Sequence, residues 1–182
     1  MKIKSKVFFI VVLISMFLVT SFSVFSAKTN NKDDVKVPNI ILYDQYGKKH
    51  NIEEYKGKVV VINFWATWCR YCVQEMPDFE KVYKEFGSNQ KDVIILGVAG
   101  PKSKENPNNI DVQKDEISQF LKKKNITYPT LMDESGKSFE KYGIRAFPTT
   151  FVINKKGYLE GFVSGAINAE QLKQAINSTL KK

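Results

Sequence analysis

The 182-residue chain carries only two cysteines, one histidine and two arginines, and each shortage removes a class of function. Two cysteines can neither staple a small scaffold nor supply a four-thiolate zinc centre. A single histidine, His50, rules out a multi-histidine metal site and argues against a histidine-based catalytic triad. Arg70 and Arg145 are the only arginines, and the lysines are scattered, with no basic helix interleaved with aromatics. The formal charge of +9 therefore does not describe a nucleic-acid surface. Internal repeats are absent. With 43% hydrophobic residues, the length suits one domain that buries an ordinary core without disulfide support.

Lys2, Lys4 and Lys6 precede an uncharged run from Val7 to Phe25. A basic start followed by such a run is the pattern of an export signal, and it places the residues after Lys28 outside the cytoplasm. Cleavage after Ser26, with Val24 two residues before it, is tolerable. If uncut, these 19 residues span roughly 28 Å, close to the hydrocarbon thickness of about 30 Å. Residues 1–27 are thus expected to be a signal peptide or an N-terminal membrane anchor. No cysteine lies near the end of the run, which excludes a lipid anchor. Residues 28–36 read as a polar tether, and 37–182 as one domain at the outer face of a bacterial cytoplasmic membrane, anchored or secreted. Without the three N-terminal lysines the net charge is +6.

From Val37 onward, short apolar runs alternate with helical patterns. Ile40 to Tyr43 and Lys49 to Ile52 flank the turn DQYG, which predicts a hairpin. Lys58 to Ala66 and Val93 to Ala99 are β-branched runs of the kind buried on both faces of a sheet. After Cys69 apolar residues recur at threes and fours to Phe86, with Pro77 expected to kink the helix. A helix is predicted near Asp115 to Lys124, a short one at Ser138 to Tyr142, and a last one from Ala169 to Leu180 capped by Asn168. Thr149 to Asn154 and Tyr158 to Val163 predict two strands joined by NKKG. A β-α-β start and a β-β-α finish imply an α/β domain: a mixed central sheet with helices on both faces, preceded by the N-terminal hairpin.

Cys69 and Cys72 sit where a buried strand gives way to a helix. A helix N-terminus stabilises a thiolate, so Cys69 is expected to have a lowered pKa, with Cys72 one turn deeper and shielded. An exposed attacking thiol above a shielded resolving thiol is what thiol–disulfide exchange requires. Half a zinc site lacks further ligands. A static staple closing so short a loop removes little unfolded-state entropy.

The segments FWATWCRYC and GIRAFPTTFVINKKG resemble the active-site and cis-proline segments of thioredoxin-fold proteins. The chain is most similar to the extracytoplasmic TlpA/ResA-like branch of membrane-tethered thiol–disulfide oxidoreductases, on the export segment, CVQEMP and the extra hairpin. The resemblance implies a thioredoxin-like fold with Cys69 as nucleophile and Cys72 as resolving thiol. It implies that the backbone around Pro148, including Phe147, pairs with a substrate strand. Trp68 would pack beside the motif or lie in the core. Asn63 stands where thioredoxins proper carry a buried acid. Glu75 matches an acid that this branch places near its cysteines, either as a desolvated proton acceptor for Cys72 or as a solvated helix carboxylate. Arg70 and Tyr71, between the cysteines, would tune the redox poise.

The implied activity is reduction of an exported partner with electrons from a membrane donor of the DsbD/CcdA type. That partner would be a cytochrome c maturation component or, as a more specific alternative, a methionine sulfoxide reductase. Oxidase or isomerase activity, and a non-catalytic binding module with a structural disulfide, are the other readings. A thiol peroxidase is disfavoured, because Thr67 lies only two residues before Cys69 and no proline occurs between Pro38 and Pro77. A monomer without cofactor or metal is expected.

Overall fold

The computed structural model describes residues 35–109 and 111–182. The expected signal or anchor (1–27) and most of the tether lie outside the described residues. Val35 and Lys36, at the end of the tether, are held against the start of the last strand: Val35 O accepts from Leu159 N at 2.8 Å and Lys36 bridges Tyr158.

The alternation in the two apolar runs builds the sheet. Strand β3 (Val59–Phe64) turns Val59 and Val61 to one face and Val60, Ile62 and Phe64 to the other, and all are buried. Strand β4 (Val93–Ala99) pairs parallel to it. Around them stand β5 (Thr130–Met132), β6 (Thr149–Ile153) and β7 (Leu159–Ser164), in the order β5-β4-β3-β6-β7, with β6 and β7 antiparallel. The hairpin of β1 (Ile41–Tyr43) and β2 (Lys49–Asn51) forms as predicted. Its turn protects the free edge of β5: Asp44 bridges Leu131, and Thr130 N donates to Gln45 Oε1 at 2.7 Å.

Three helices cover the first face. Helix α1 (Arg70–Glu85) contributes Met76, Phe79 and Val82, α2 (Lys114–Lys123) contributes Ile117 and Leu121, and α4 (Ala169–Leu180) contributes Leu172 and Ile176. α1 is one continuous helix with Pro77 inside it. The second face is closed by the hairpin, a 3-10 turn (Ile52–Tyr55) and the short helix α3 (Lys137–Lys141). Phe64 anchors this layer with ring contacts to Phe139, Tyr142 and Phe151. The result is the expected α/β architecture with a mixed sheet and helices on both faces.

Buried carboxylates pin the loops. Asp44 accepts from Tyr46 N and Lys48 N, and also from His50 Nε2 at 2.8 Å. Asp133 accepts from Ser138 N and Phe139 N. Glu80 accepts from Thr127 N and Tyr128 N. A buried charge is tolerated when donors meet it on every side, and here each acid collects backbone amides. The cost of ordering a loop is offset at one residue.

Candidate active site

The turn that follows β3 delivers both cysteines. Cys69 N donates to Ala66 O at 3.1 Å, which closes the turn, and Cys69 becomes the N-cap of α1. Its Sγ accepts from Cys72 N at 3.2 Å, as a capping oxygen does elsewhere. The two cysteines are joined as a disulfide with Cα atoms 5.3 Å apart. Exposure differs less than the sequence implies: Cys69 is 5% exposed and Cys72 1%. Cys69 is therefore not an exposed attacker in the disulfide form, because the capping role draws its sulfur against the helix.

The aromatic surround is what meets solvent. Trp68 is 56% exposed and lies edge-on to Phe147 with ring centroids 5.7 Å apart, so it belongs to the surface beside the motif and not to the core. The buried tryptophan is Trp65, stacked on Phe120. Arg70 and Tyr71 are both exposed on the first turn of α1.

The Phe147–Pro148 peptide is cis, as the resemblance implied. Pro148 O accepts from Gly165 N at 2.8 Å and Ala146 O from Thr149 Oγ1 at 2.8 Å. The N–H and C=O of Phe147 have no hydrogen-bond partner among the described residues. A main-chain donor and acceptor thus stand unpaired beside the disulfide, the requirement for adding a strand.

Beneath the cysteines lies Glu75, 3% exposed, one turn after Cys72 on the same helix face. Its Oε1 accepts from Asn63 Nδ2 at 2.8 Å and its Oε2 from Ile167 N at 3.0 Å. Asn63 also donates to Thr150 Oγ1 at 3.0 Å, across from it on β6. Burial pushes the Glu75 carboxyl up to about 7, and the Ile167 and Asn63 donors offset only part of that. The solvated-carboxylate reading of Glu75 is therefore wrong. Next along the same sheet row, Gly97 leaves no room for a side chain unless its neighbours shift: a Cβ there would sit 2.8 Å from Thr130 Oγ1 and 2.9 Å from Trp65 Nε1.

One residue at this site escaped the sequence reading. Asp111, in the loop between β4 and α2, is buried and accepts from Thr67 N at 2.9 Å, from Thr67 Oγ1, and from Val112 N at 2.8 Å. It ties that loop to the turn carrying Trp68 and Cys69. No local signal marks it in the polar stretch it comes from. Among the described residues, no cluster of three or more histidines, cysteines or acids is placed to hold a metal ion, and no helix is long and apolar enough to cross a membrane.

Comparison with known proteins agrees with this geometry. The model of the AhpC/TSA family matches residues 34–161. The thiol-disulfide oxidoreductase ResA of Geobacillus thermodenitrificans is 30% identical over 154 residues, covering 85% of this chain and 82% of the relative. ResA of Bacillus cereus is 27% identical over 186 residues, covering 100% of this chain and 98% of the relative. Among solved structures, the exposed lipoprotein thioredoxin of Streptococcus pneumoniae matches with a TM-score of 0.66 and 30% identity, over 78% of this chain and 99% of that one. The fold is thioredoxin-like.

Proposed function

Because the chain belongs to the AhpC/TSA family and, within the thioredoxin fold, is a thiol–disulfide oxidoreductase of the ResA kind, we propose that it works outside the cytoplasm as a reductase of exported protein disulfides. The observation that carries the reading is the Cys69–Cys72 pair at the start of α1, with the chain's only two sulfhydryl-forming residues joined one helical turn apart. Electrons entering or leaving by thiol exchange must pass through them.

In the reduced protein the Cys69 thiolate, favoured by the helix N-terminus, attacks one sulfur of the partner's disulfide. The partner's S–S bond breaks, a mixed disulfide forms on Cys69, and the partner's first thiolate leaves and takes up a proton. Cys72 then gives its proton to Glu75, and the Cys72 thiolate attacks Cys69 Sγ. The mixed disulfide breaks, the second partner thiolate leaves, and the Cys69–Cys72 disulfide forms. Two electrons have passed to the partner, and a dithiol donor of the DsbD/CcdA type in the membrane restores them. A carboxyl poised near 7 suits a proton acceptor at neutral pH. The free Phe147 N–H and C=O, with Pro148 beside them, take the partner's chain as an added strand. Arg70 and Tyr71 set the poise of the couple from between the cysteines.

The extracytoplasmic setting is supported by the basic, apolar start of the chain and by the lipoprotein thioredoxin it resembles. The partner is a cytochrome c maturation component or a methionine sulfoxide reductase. Trapping with Cys72→Ser tests the reading, because the mixed disulfide on Cys69 then persists. Recovery of one of those two partners is the expected result and distinguishes them. Recovery of many unrelated secreted proteins overturns the reductase assignment in favour of an oxidase or isomerase.

A further inference from the structure

Of the chain's 28 basic residues only Arg70 and Arg145 are arginines, and Arg145 is linked to the active-site turn through Phe147, whose ring meets Trp68. Arg70 lies between the cysteines. Arg145 is exposed two residues before Phe147, at a cavity of about 290 Å³ that begins at Ala66, just before the Cys69 turn. Trp65, Phe139, Ile144 and Phe147 give this cavity apolar walls.

Of its other polar side chains, Asn109 and Asp111 are committed, while the Trp65 indole N–H and the Asn108 amide have no hydrogen-bond partner among the described residues. Asn109 Nδ2 donates to the carbonyls of Pro101, Asp133 and Glu134. Asp111 is saturated by Thr67 and Val112. Arg145 makes no ion pair among the described residues. The cavity therefore offers largely apolar walls, neutral polar groups at Trp65 and Asn108, and one guanidinium outside any ion pair, beside the unpaired main chain of Phe147.

A guanidinium presents a planar fork of donors that fits a carboxylate through two parallel hydrogen bonds, which a lysine cannot reproduce. Apolar walls below such a fork suit the methylenes of an acidic side chain. We propose that Arg145 and this cavity form a subsite for an aspartate or glutamate close in sequence to the partner's reactive cysteine, so that the protein selects disulfides with an acidic neighbour. The proposal rests on the oxidoreductase reading and adds the chemistry of the partner to it. Arg70 and the overall positive charge favour the same partner at long range, but only Arg145 supplies the directed contact.

The test uses three synthetic peptides, each with one disulfide and differing only in having Glu, Gln or Lys beside the cysteine. Bis(2-hydroxyethyl) disulfide serves as a neutral control. The wild-type protein should reduce the Glu peptide at least about tenfold more efficiently than the Lys peptide, chiefly through KM, with the gap narrowing as salt rises. Arg145→Glu should invert the order, and Arg145→Lys should fall between. Lys122→Glu, an equal charge change at the far end of α2, should leave the preference intact. All variants should reduce the neutral disulfide at the wild-type rate. Equal efficiency on the three peptides, or a preference that survives Arg145→Glu, overturns the subsite. Failure of the wild type on the neutral disulfide would instead strike the oxidoreductase reading.

Discussion

Asn63 Nδ2 donates to Glu75 Oε1 at 2.8 Å, so the amide of a central strand holds the carboxylate of the active-site helix. The contrast with Glu80, five residues further along the same helix, shows why the two acids behave differently. Burial works against the charge at Glu80 too, but the Thr127 hydroxyl and amide, Lys84 and the Tyr128 amide outweigh it and hold that carboxyl below its ordinary value. Glu75 has one side-chain donor, one backbone donor and no cation among the groups that lower it, so desolvation wins.

A pH dependence follows from that balance. In the unfolded chain Glu75 ionises near its ordinary 4.5, whereas the folded chain keeps the proton up to about 7. Between those values the folded state binds a proton that the unfolded state has lost. Stability is then greatest at the low end of the window and declines as pH rises through 7, by on the order of 3 kcal/mol at most. Urea unfolding of the oxidised protein should show a lower midpoint at about pH 8 than at about pH 5. Glu75→Gln should flatten that slope, and should also remove the inflection near 7 from the pH profile of disulfide reduction. A wild-type midpoint that does not change across this window would refute the buried, proton-holding Glu75.

Asn63→Asp would set a second carboxyl in hydrogen-bond contact with Glu75. Two carboxylates so close cannot both ionise in a buried site, and the pair would share a proton well above neutrality. The variant should be less stable than wild type at about pH 8, with the difference shrinking toward about pH 5. Asn63→Ala instead leaves Glu75 Oε1 without its donor, at a cost of about 1–3 kcal/mol. Equal stability of Asn63→Asp and wild type at both pH values would show that the amide is not needed.

These relationships differ in how far the sequence displays them. β4 and α4 are found at the bounds that periodicity predicts, because each carries its own pattern of apolar residues and, for α4, the Asn168 cap. β5 escapes such reading: it is three residues long, and only its pairing with β4 makes it a strand. The cysteines were legible through spacing and position. Glu75 lies on the helix face that carries Cys72 and Phe79, a hint of burial that its residue type conceals. The Asp111–Thr67 contact spans 44 residues and has no local signature. The His50–Asp44–Tyr55 network is equally silent, since only the folded hairpin brings a buried imidazole between a carboxylate and a phenol.

Asp111 provides a prediction about the active-site turn. Asp111→Ala strands the Thr67 amide and hydroxyl and should cost about 2–3 kcal/mol. If Asp111 also positions the turn, alkylation of Cys69 in the reduced protein should change rate by several-fold. Asp111→Asn, which retains a carbonyl acceptor, should recover part of both effects. Iodoacetamide kinetics separate the two roles: a stability loss with unchanged Cys69 reactivity would reduce Asp111 to a loop anchor.

The two tryptophans sit on opposite sides of the solvent boundary, Trp65 fully buried and Trp68 more than half exposed. Trp68→Phe should leave emission from the buried indole alone, blue-shifted and weakly quenched by acrylamide, while the wild type should quench strongly. The functional consequence comes from the edge contact between Trp68 and Phe147, which presents both rings beside the free Phe147 main chain. An aromatic pair is worth about 0.5–1.5 kcal/mol beyond its buried area. Trp68→Ala should therefore raise KM for a protein disulfide about twofold to tenfold, with kcat little changed. The neutral small disulfide, which reaches the sulfur without using that surface, should be reduced at the wild-type rate. A matching loss on both substrates would mean that Trp68 acts on the cysteines themselves and not on the docking of the partner.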